Sequence, residues 1–175
     1  MSSVSSEATT ARGWWRWLAV SAVVIIADQL SKVAVLSSLR PGAERTVTSF
    51  FSIILTFNAG AAFSFLGGAA GWQRYLFSAF AVAAAALIVW LLRRGGDRLY
   101  CWGLSLILGG ALGNLWDRAT IGKVVDFLLF HDFLPGRPAA LAWLDPFPAF
   151  NIADSAITVG AGLLILDSLW QRRSH

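Results

Sequence analysis

Two aspartates in this sequence sit where a charge is costly. Asp126 lies in Lys123-Val-Val-Asp-Phe-Leu-Leu-Phe130 and Asp154 in Phe150-Asn-Ile-Ala-Asp-Ser-Ala-Ile157. A carboxylate among apolar neighbours loses hydration and is harder to ionise. Two such groups brought together resist ionising at once, so they share a proton and titrate as a pair. The ionised member can take a proton from water while the protonated member hydrogen-bonds the carbonyl under attack. That is general acid–base hydrolysis of an amide, without a metal or a covalent intermediate. Each acid also has a plainer reading. Asp154 suits the first turn of a helix, where the dipole favours negative charge. Asp126 could be a loop acid paired with Lys123 or Arg118.

Other chemistries find fewer residues. Cys101 is the only cysteine, and the two histidines are His131 and His175. HExxH, CxxC and GxxxxGK[ST] are all missing, which removes the usual residues for zinc hydrolysis, paired-cysteine redox chemistry and P-loop nucleotide hydrolysis. No metal or other cofactor is expected. Ser155 or Ser64 with Lys32 could imitate a Ser–Lys peptidase, but nothing in the spacing supports it. Cys101 reads as a buried apolar residue, and His131 as a polar surface residue. The formal charge of +4 is scattered, with no basic block or nucleic-acid motif, so nucleic acid is not an expected partner.

The elements that must position the acids are membrane helices. The chain has 175 residues, 57% hydrophobic and 14% charged, against roughly 45–50% and about 25% for a soluble domain. A bilayer core needs about 20 apolar residues per helix, and four stretches qualify: about 14–36, 72–92, 100–116 and 151–170. Trp14, Trp72, Trp90, Tyr100, Trp116 and Trp170 stand at their ends, where amphipathic rings favour the headgroup level. The expected fold is an all-α integral membrane protein in one four-helix domain, 14–170. Short cytoplasmic tails, 1–13 and 171–175, flank it, and residues 1–11 read as disordered. A cleaved signal peptide is the rival reading of the N-terminus, but Asp-Gln-Leu-Ser-Lys32 is no small-residue cleavage site.

Two long loops, 37–71 and 117–150, emerge on one side. Arg12, Arg16, Arg93, Arg94, Arg98, Arg172 and Arg173 gather on the other side, against Arg40, Arg45, Arg118, Lys123 and Arg137 in the loops. The excess of basic residues places both termini in the cytoplasm and the loops outside. In the first loop, residues 46–57 are rich in β-branched and aromatic types and suit a small sheet on the membrane surface. The second loop carries Pro135, Pro138, Pro146 and Pro148, which predict irregular or briefly helical chain. Gly109 and Gly113, and likewise Gly160 and Gly162, read as helix-packing positions.

On this topology Asp28, Lys32, Asn58, Asn114, Asp117, Arg118, Asp126, Asn151 and Asp154 converge near one membrane face. Ionisable groups at membrane depth are functional candidates. Asp28 and Lys32, four apart, suit an intrahelical ion pair with Lys32 snorkelling to the headgroups. Arg118 could contact a phosphate, a carbonyl or Asp117, or serve as an interfacial anchor.

At these residues the chain resembles the lipoprotein signal peptidases, or signal peptidase II. The resemblance is carried by Asp28-Gln-Leu-Ser-Lys32, Phe57-Asn-Ala-Gly-Ala-Ala-Phe63, Gly109-Gly-Ala-Leu-Gly-Asn-Leu-Trp-Asp-Arg118, Val124-Val-Asp-Phe127 and Phe150-Asn-Ile-Ala-Asp-Ser155, in the family's order. It implies an aspartyl endopeptidase of the bacterial inner membrane, with its active site at the periplasmic face. The substrates implied are prolipoproteins carrying diacylglycerol on a cysteine, cut just before that cysteine. The catalytic pair maps to Asp126 and Asp154. Asn58, Asn114, Arg118 and Asn151 map to substrate-binding or dyad-orienting positions, and Asp28 and Lys32 to supporting ones. The resemblance also implies a small extracytoplasmic β-cradle, and cyclic-peptide antibiotics as inhibitors. Membrane lipids surround the chain, and a monomer is expected. One departure stands out: the stretch 131–148, which partly covers the active site in the family, is longer here.

Two rival functions use the same residues differently. A proton-coupled carrier would use Asp28 and Asp154 as relay groups, yet the acids gather at one face. A non-catalytic scaffold would use only the glycine-rich helices. Neither accounts for five ordered motifs.

Overall fold

A computed structural model of the chain describes residues 13–59, 72–133, 136 and 145–173. Outside the described residues lie the tail 1–12, Gly60–Phe63 of the second quoted segment, Ser64, most of the 131–148 stretch, and His175. The elements in order are α1 (Trp15–Ser38), β1 (Glu44–Thr48), β2 (Phe51–Asn58), α2 (Trp72–Arg94), α3 (Arg98–Thr120), β3 (Val124–Phe130) and α4 (Ile152–Arg173). All four helices are long and apolar enough to cross a membrane.

Helix α3 runs through the middle and packs against the other three. Its small residues explain why. A Cβ at Gly103 would meet the Gly160 carbonyl oxygen at 2.8 Å, and one at Gly109 would meet the Val24 Cβ at 2.7 Å. Without side chains there, backbones approach closely, as helix association in lipid favours. Gly162 differs from the expectation: nothing stands within 4 Å of its Cβ position, so it is not a packing contact. Ile88, Leu92, Cys101, Leu104 and Leu108 form the apolar core between α2 and α3, and Cys101 is fully buried, as expected.

A three-stranded antiparallel sheet, in the order β1-β2-β3, caps one end. The strand-like stretch at 46–57 is a hairpin, β1 turning into β2. The second loop holds the surprise. Instead of irregular chain it opens with β3, which pairs with β2 so that Thr56 faces Asp126 and Asn58 faces Val124. All four prolines fall beyond Phe130, leaving a β-branched and aromatic run free to form a strand.

Helix α3 is also longer than its apolar stretch. It runs to Thr120, so Asp117 and Arg118 are helical and the loop begins at 121 rather than 117. Gly122 then takes φ +78. That left-handed conformation at the residue after the C-cap is what glycine supplies without strain. Its N–H reaches the Asp117 carbonyl at 3.2 Å, and the chain turns directly into β3. At the other end α4 continues to Arg173, so residues 171–173 are helix rather than tail.

Phe150 joins the two halves of the site. Its carbonyl accepts from the N–H groups of Phe127 (3.0 Å) and Leu128 (2.8 Å), and its own N–H donates to the Leu128 carbonyl (3.1 Å). Asn151 and the start of α4 are thereby set beside Asp126.

Candidate active site

Asn151 caps α4. Its side-chain oxygen accepts from the Asp154 N–H at 2.9 Å, and its own N–H donates back to Asp154 Oδ2 at 3.3 Å. This is a reciprocal capping box with aspartate at the third helical position. The same Asn151 turns its amide nitrogen to Asp126 Oδ1 (2.8 Å), the Val125 carbonyl (3.1 Å) and Asn114 Oδ1 (3.1 Å). One fully buried residue therefore donates to both carboxyl groups, to Asp126 through its side-chain amide and to Asp154 through its backbone N–H. The plainer reading of Asp154, as a first-turn acid, holds as well, so its cap role and its place in the site coexist.

Asn114 completes the bridge from α3. Its amide donates to Asp154 Oδ1 at 2.7 Å, and its oxygen accepts from Asn151 and from Lys32 Nζ at 3.2 Å. Asn58, at the end of β2, hydrogen-bonds Asp126 from the neighbouring strand. It lies diagonal to Asp126 on one face of the antiparallel pair, within side-chain reach.

Asp126 is 2% exposed, a buried strand residue rather than a loop acid. Burial pushes its carboxyl up to about 6; the Asn58 hydrogen bond opposes this, Asp154 adds to it, and Asn151 and Lys32 oppose it. Asp154 is only half-buried. The two carboxyl groups are thus joined by two amides in series, Asn151 on Asp126 and Asn114 on Asp154, with one acid dry and the other half-buried.

Lys32 corrects an expectation. It does not snorkel to the headgroups; it is 2% exposed. Its ammonium pairs with Asp28 Oδ2 at 2.7 Å and Asp117 Oδ2 at 2.8 Å, besides the Asn114 contact. Three donors meet three acceptors, none of them a serine among the described residues. Ser155 instead donates to the Asn151 carbonyl. Asp28, fully buried, accepts the Ala153 N–H at 2.9 Å.

Arg118 stands at the edge. Its Nη1 donates to the Asn114 carbonyl at 3.4 Å, its guanidinium lies 5.5 Å from the Phe77 ring centroid, and its charge reaches Asp154, Asp117 and Asp126. His131 is elsewhere: it hydrogen-bonds Ser52 and Asp132 at the far side of the sheet.

Two further residues belong to this network: Asp117, named in the converging cluster but given no role there, and Gln29, which was not named in it. Asp117 accepts from the Val125 N–H and from Lys32, and Gln29 donates to both Asp28 and Asp117. Helical spacing could have found Asp117, since Gly110, Gly113, Asn114 and Asp117 form one face of α3 at i, i+3, i+4 and i+7.

Residues 20–170 match the sequence profile of the family described as signal peptidase (SPase) II. A lipoprotein signal peptidase of Burkholderia ambifaria is 53% identical over 154 residues, covering 87% of each chain. One from Cupriavidus taiwanensis is 51% identical over 160 residues, covering 91% of this chain and 85% of that one. A solved bacterial membrane enzyme, determined by the in meso method at 1.9 Å, superposes with a TM-score of 0.74 at 28% identity, over 88% of this chain and 92% of that one.

Proposed function

The chain belongs to the signal peptidase II family, and from that premise we propose that Asp126 and Asp154 are its catalytic dyad. It is a membrane-embedded lipoprotein signal peptidase, a protease that removes the signal peptide from prolipoproteins. The observation that carries the residue assignment is Asn151, whose side-chain amide donates to the Asp126 carboxyl and whose backbone N–H donates to the Asp154 carboxyl.

In this reading the dyad holds one proton. The ionised carboxylate takes a proton from a water molecule as its oxygen attacks the scissile carbonyl. The protonated carboxyl donates to the carbonyl oxygen, giving a neutral tetrahedral diol. Proton return to the amide nitrogen then breaks the C–N bond, leaving a free acid on the signal peptide and a free amine on the cysteine. The high pKa of Asp126 suits it to hold the proton, and half-exposed Asp154 suits the water. Asn58, Asn114 and Asn151 hold the carboxyl groups in register, and Arg118 is placed to receive a substrate carbonyl.

The substrates are prolipoproteins already bearing diacylglycerol on the cysteine, cut just before it. The lipid chains and the signal helix occupy the bilayer around a monomeric four-helix domain, 14–170. The excess of basic residues at the ends away from the sheet supports a reading with both termini in the cytoplasm of a bacterial inner membrane and the sheet on its outer face. Cyclic-peptide antibiotics that block the family are expected to compete for this site. The test is a gel-shift assay with purified diacylglyceryl prolipoprotein. Asp126→Asn and Asp154→Asn should each abolish release of the signal peptide; near-normal release by either would remove that residue from the dyad.

A further inference from the structure

Each proposed catalytic aspartate is preceded by a residue whose backbone N–H is held by a different buried aspartate. Ala153, before Asp154, donates to Asp28 Oδ1 at 2.9 Å; Val125, before Asp126, donates to Asp117 Oδ2 at 3.1 Å. These two holding carboxylates are joined twice. Lys32 Nζ bridges them at 2.7 and 2.8 Å, and Gln29 Nε2 bridges them at 3.1 and 3.0 Å. Gln29 also donates to the Gly113 carbonyl at 3.2 Å. The bracket spans α1 and α3 and grips β3 and α4 at the residues next to the dyad.

We propose that Asp28 and Asp117, tied together by Lys32 and Gln29, are positioning residues that set the separation of the Asp126 and Asp154 carboxyl groups. Three features separate this from general packing. Its charged members are dry: Asp28 is 0% exposed, Lys32 2% and Asp117 4%, with Gln29 half-buried at the edge. A buried ion pair contributes little net stability against apolar residues of similar size, so packing alone gives little reason for two acids and a lysine here. The attachment points are the residues immediately before the two acids, on two elements distant in the chain. And α3 leaves room for it: a Cβ on Gly113 would stand 2.8 Å from Asp28 Oδ2. Small displacements at a reacting centre carry a large kinetic cost, so a bracket of this kind acts on kcat and leaves substrate binding alone.

The proposal rests on the dyad assignment, so the experiment carries both. Purified enzyme is assayed for kcat and KM on a diacylglyceryl prolipoprotein, with folding followed by thermal unfolding in the same detergent. Asp126→Asn and Asp154→Asn are the reference arms: activity there sinks the dyad, whatever the other variants do. With those two inactive, folded Asp117→Asn enzyme should lose roughly 10–100-fold in kcat, with KM within about twofold of wild type. The double variant Asp28→Asn/Asp117→Asn should be no slower than the slower single, because both open the same bracket. Gln29→Leu keeps the ion pairs and removes one tie, so it should fold and lose kcat by a few-fold; it decides the matter if the aspartate variants do not fold. Wild-type kcat in folded Asp117→Asn or Gln29→Leu enzyme, a change in KM alone, or fully multiplicative losses in the double variant would each overturn the bracket while leaving the dyad intact.

Discussion

Both ends of the helix bundle hold two aspartates whose carboxyl groups accept from one amide-bearing residue. At the sheet end, Asn151 links Asp126 and Asp154. At the opposite end, Gln171 donates to Asp167 at 2.9 Å and to Asp97 at 3.5 Å. The resemblance stops at the supports. Asn151 is fully buried and is fixed by five hydrogen bonds through its amide, oxygen and N–H. Gln171 and Asp97 are exposed, and Asp97 makes no side-chain cap to the helix it precedes. Asp126 and Asp154 come from a strand and a helix start that Phe150 stitches together. Asp97 stands at the start of α3 and Asp167, 7% exposed, in α4, with Gln171 bonded to both. Proximity of two carboxyl groups is thus not enough: each pair holds one buried and one more open acid, and what distinguishes the reacting pair is the fixed backbone and the amide network beneath each acid.

The widest separation between the two ends should appear on neutralising the acids. Asp126→Asn or Asp154→Asn should lower the rate by at least roughly 10²–10⁴-fold, the usual worth of a general acid or base. Asp97→Asn and Asp167→Asn should stay within about twofold in kcat. Comparable losses at both ends, measured as signal peptide released per enzyme, would erase the distinction.

Removing the amides comes next. Asn151→Ala takes away the amide bonds to Asp126 and Asn114 and the side-chain cap of α4, leaving only the backbone N–H to Asp154, so kcat should fall roughly 10–100-fold and stability by about 1 kcal/mol. Gln171→Ala, read in the same kinetic and thermal unfolding assays, should change neither by a comparable amount.

A smaller effect sharpens the electrostatics. The Asn58 hydrogen bond favours ionised Asp126 and lowers its pKa. Removing it in Asn58→Ala should therefore raise that pKa. The singly protonated dyad would survive to higher pH, and the alkaline limb of the kcat profile should move upward from its wild-type position. Movement downward, or none, would show that Asp126 is not the group titrating in that limb.

Much of this was legible in the sequence because charged residues in apolar spans declare themselves. The four helices followed from hydropathy; Asp126 and Asp154 stood out as acids in otherwise apolar runs, but only the family resemblance, not the runs, paired them. What hydropathy could not show was reach. Lys32 looked like a snorkelling side chain because its distance to Asp28 along one helix was visible and its distance to Asp117 on another was not. Asp117 looked like the start of a loop because the charge-free stretch ended at Trp116, although the helix continues until Gly122 can turn it. β3 was hidden by prolines that lie downstream of it, and its strand register, which sets Asn58 beside Asp126, depends on pairing with a partner 70 residues away in the chain (Thr56 with Asp126).

The most direct test of a shared-proton pair is a single-turnover comparison of Asp126→Asn, Asp154→Asn and the double variant on one diacylglyceryl prolipoprotein. If the two carboxyl groups act as one unit, each single variant should be about as slow as the double, since losing either member removes the whole function. A single variant that keeps near-wild-type turnover, or a double variant slower by the product of the two single losses, would mean that the two aspartates work independently or not at all.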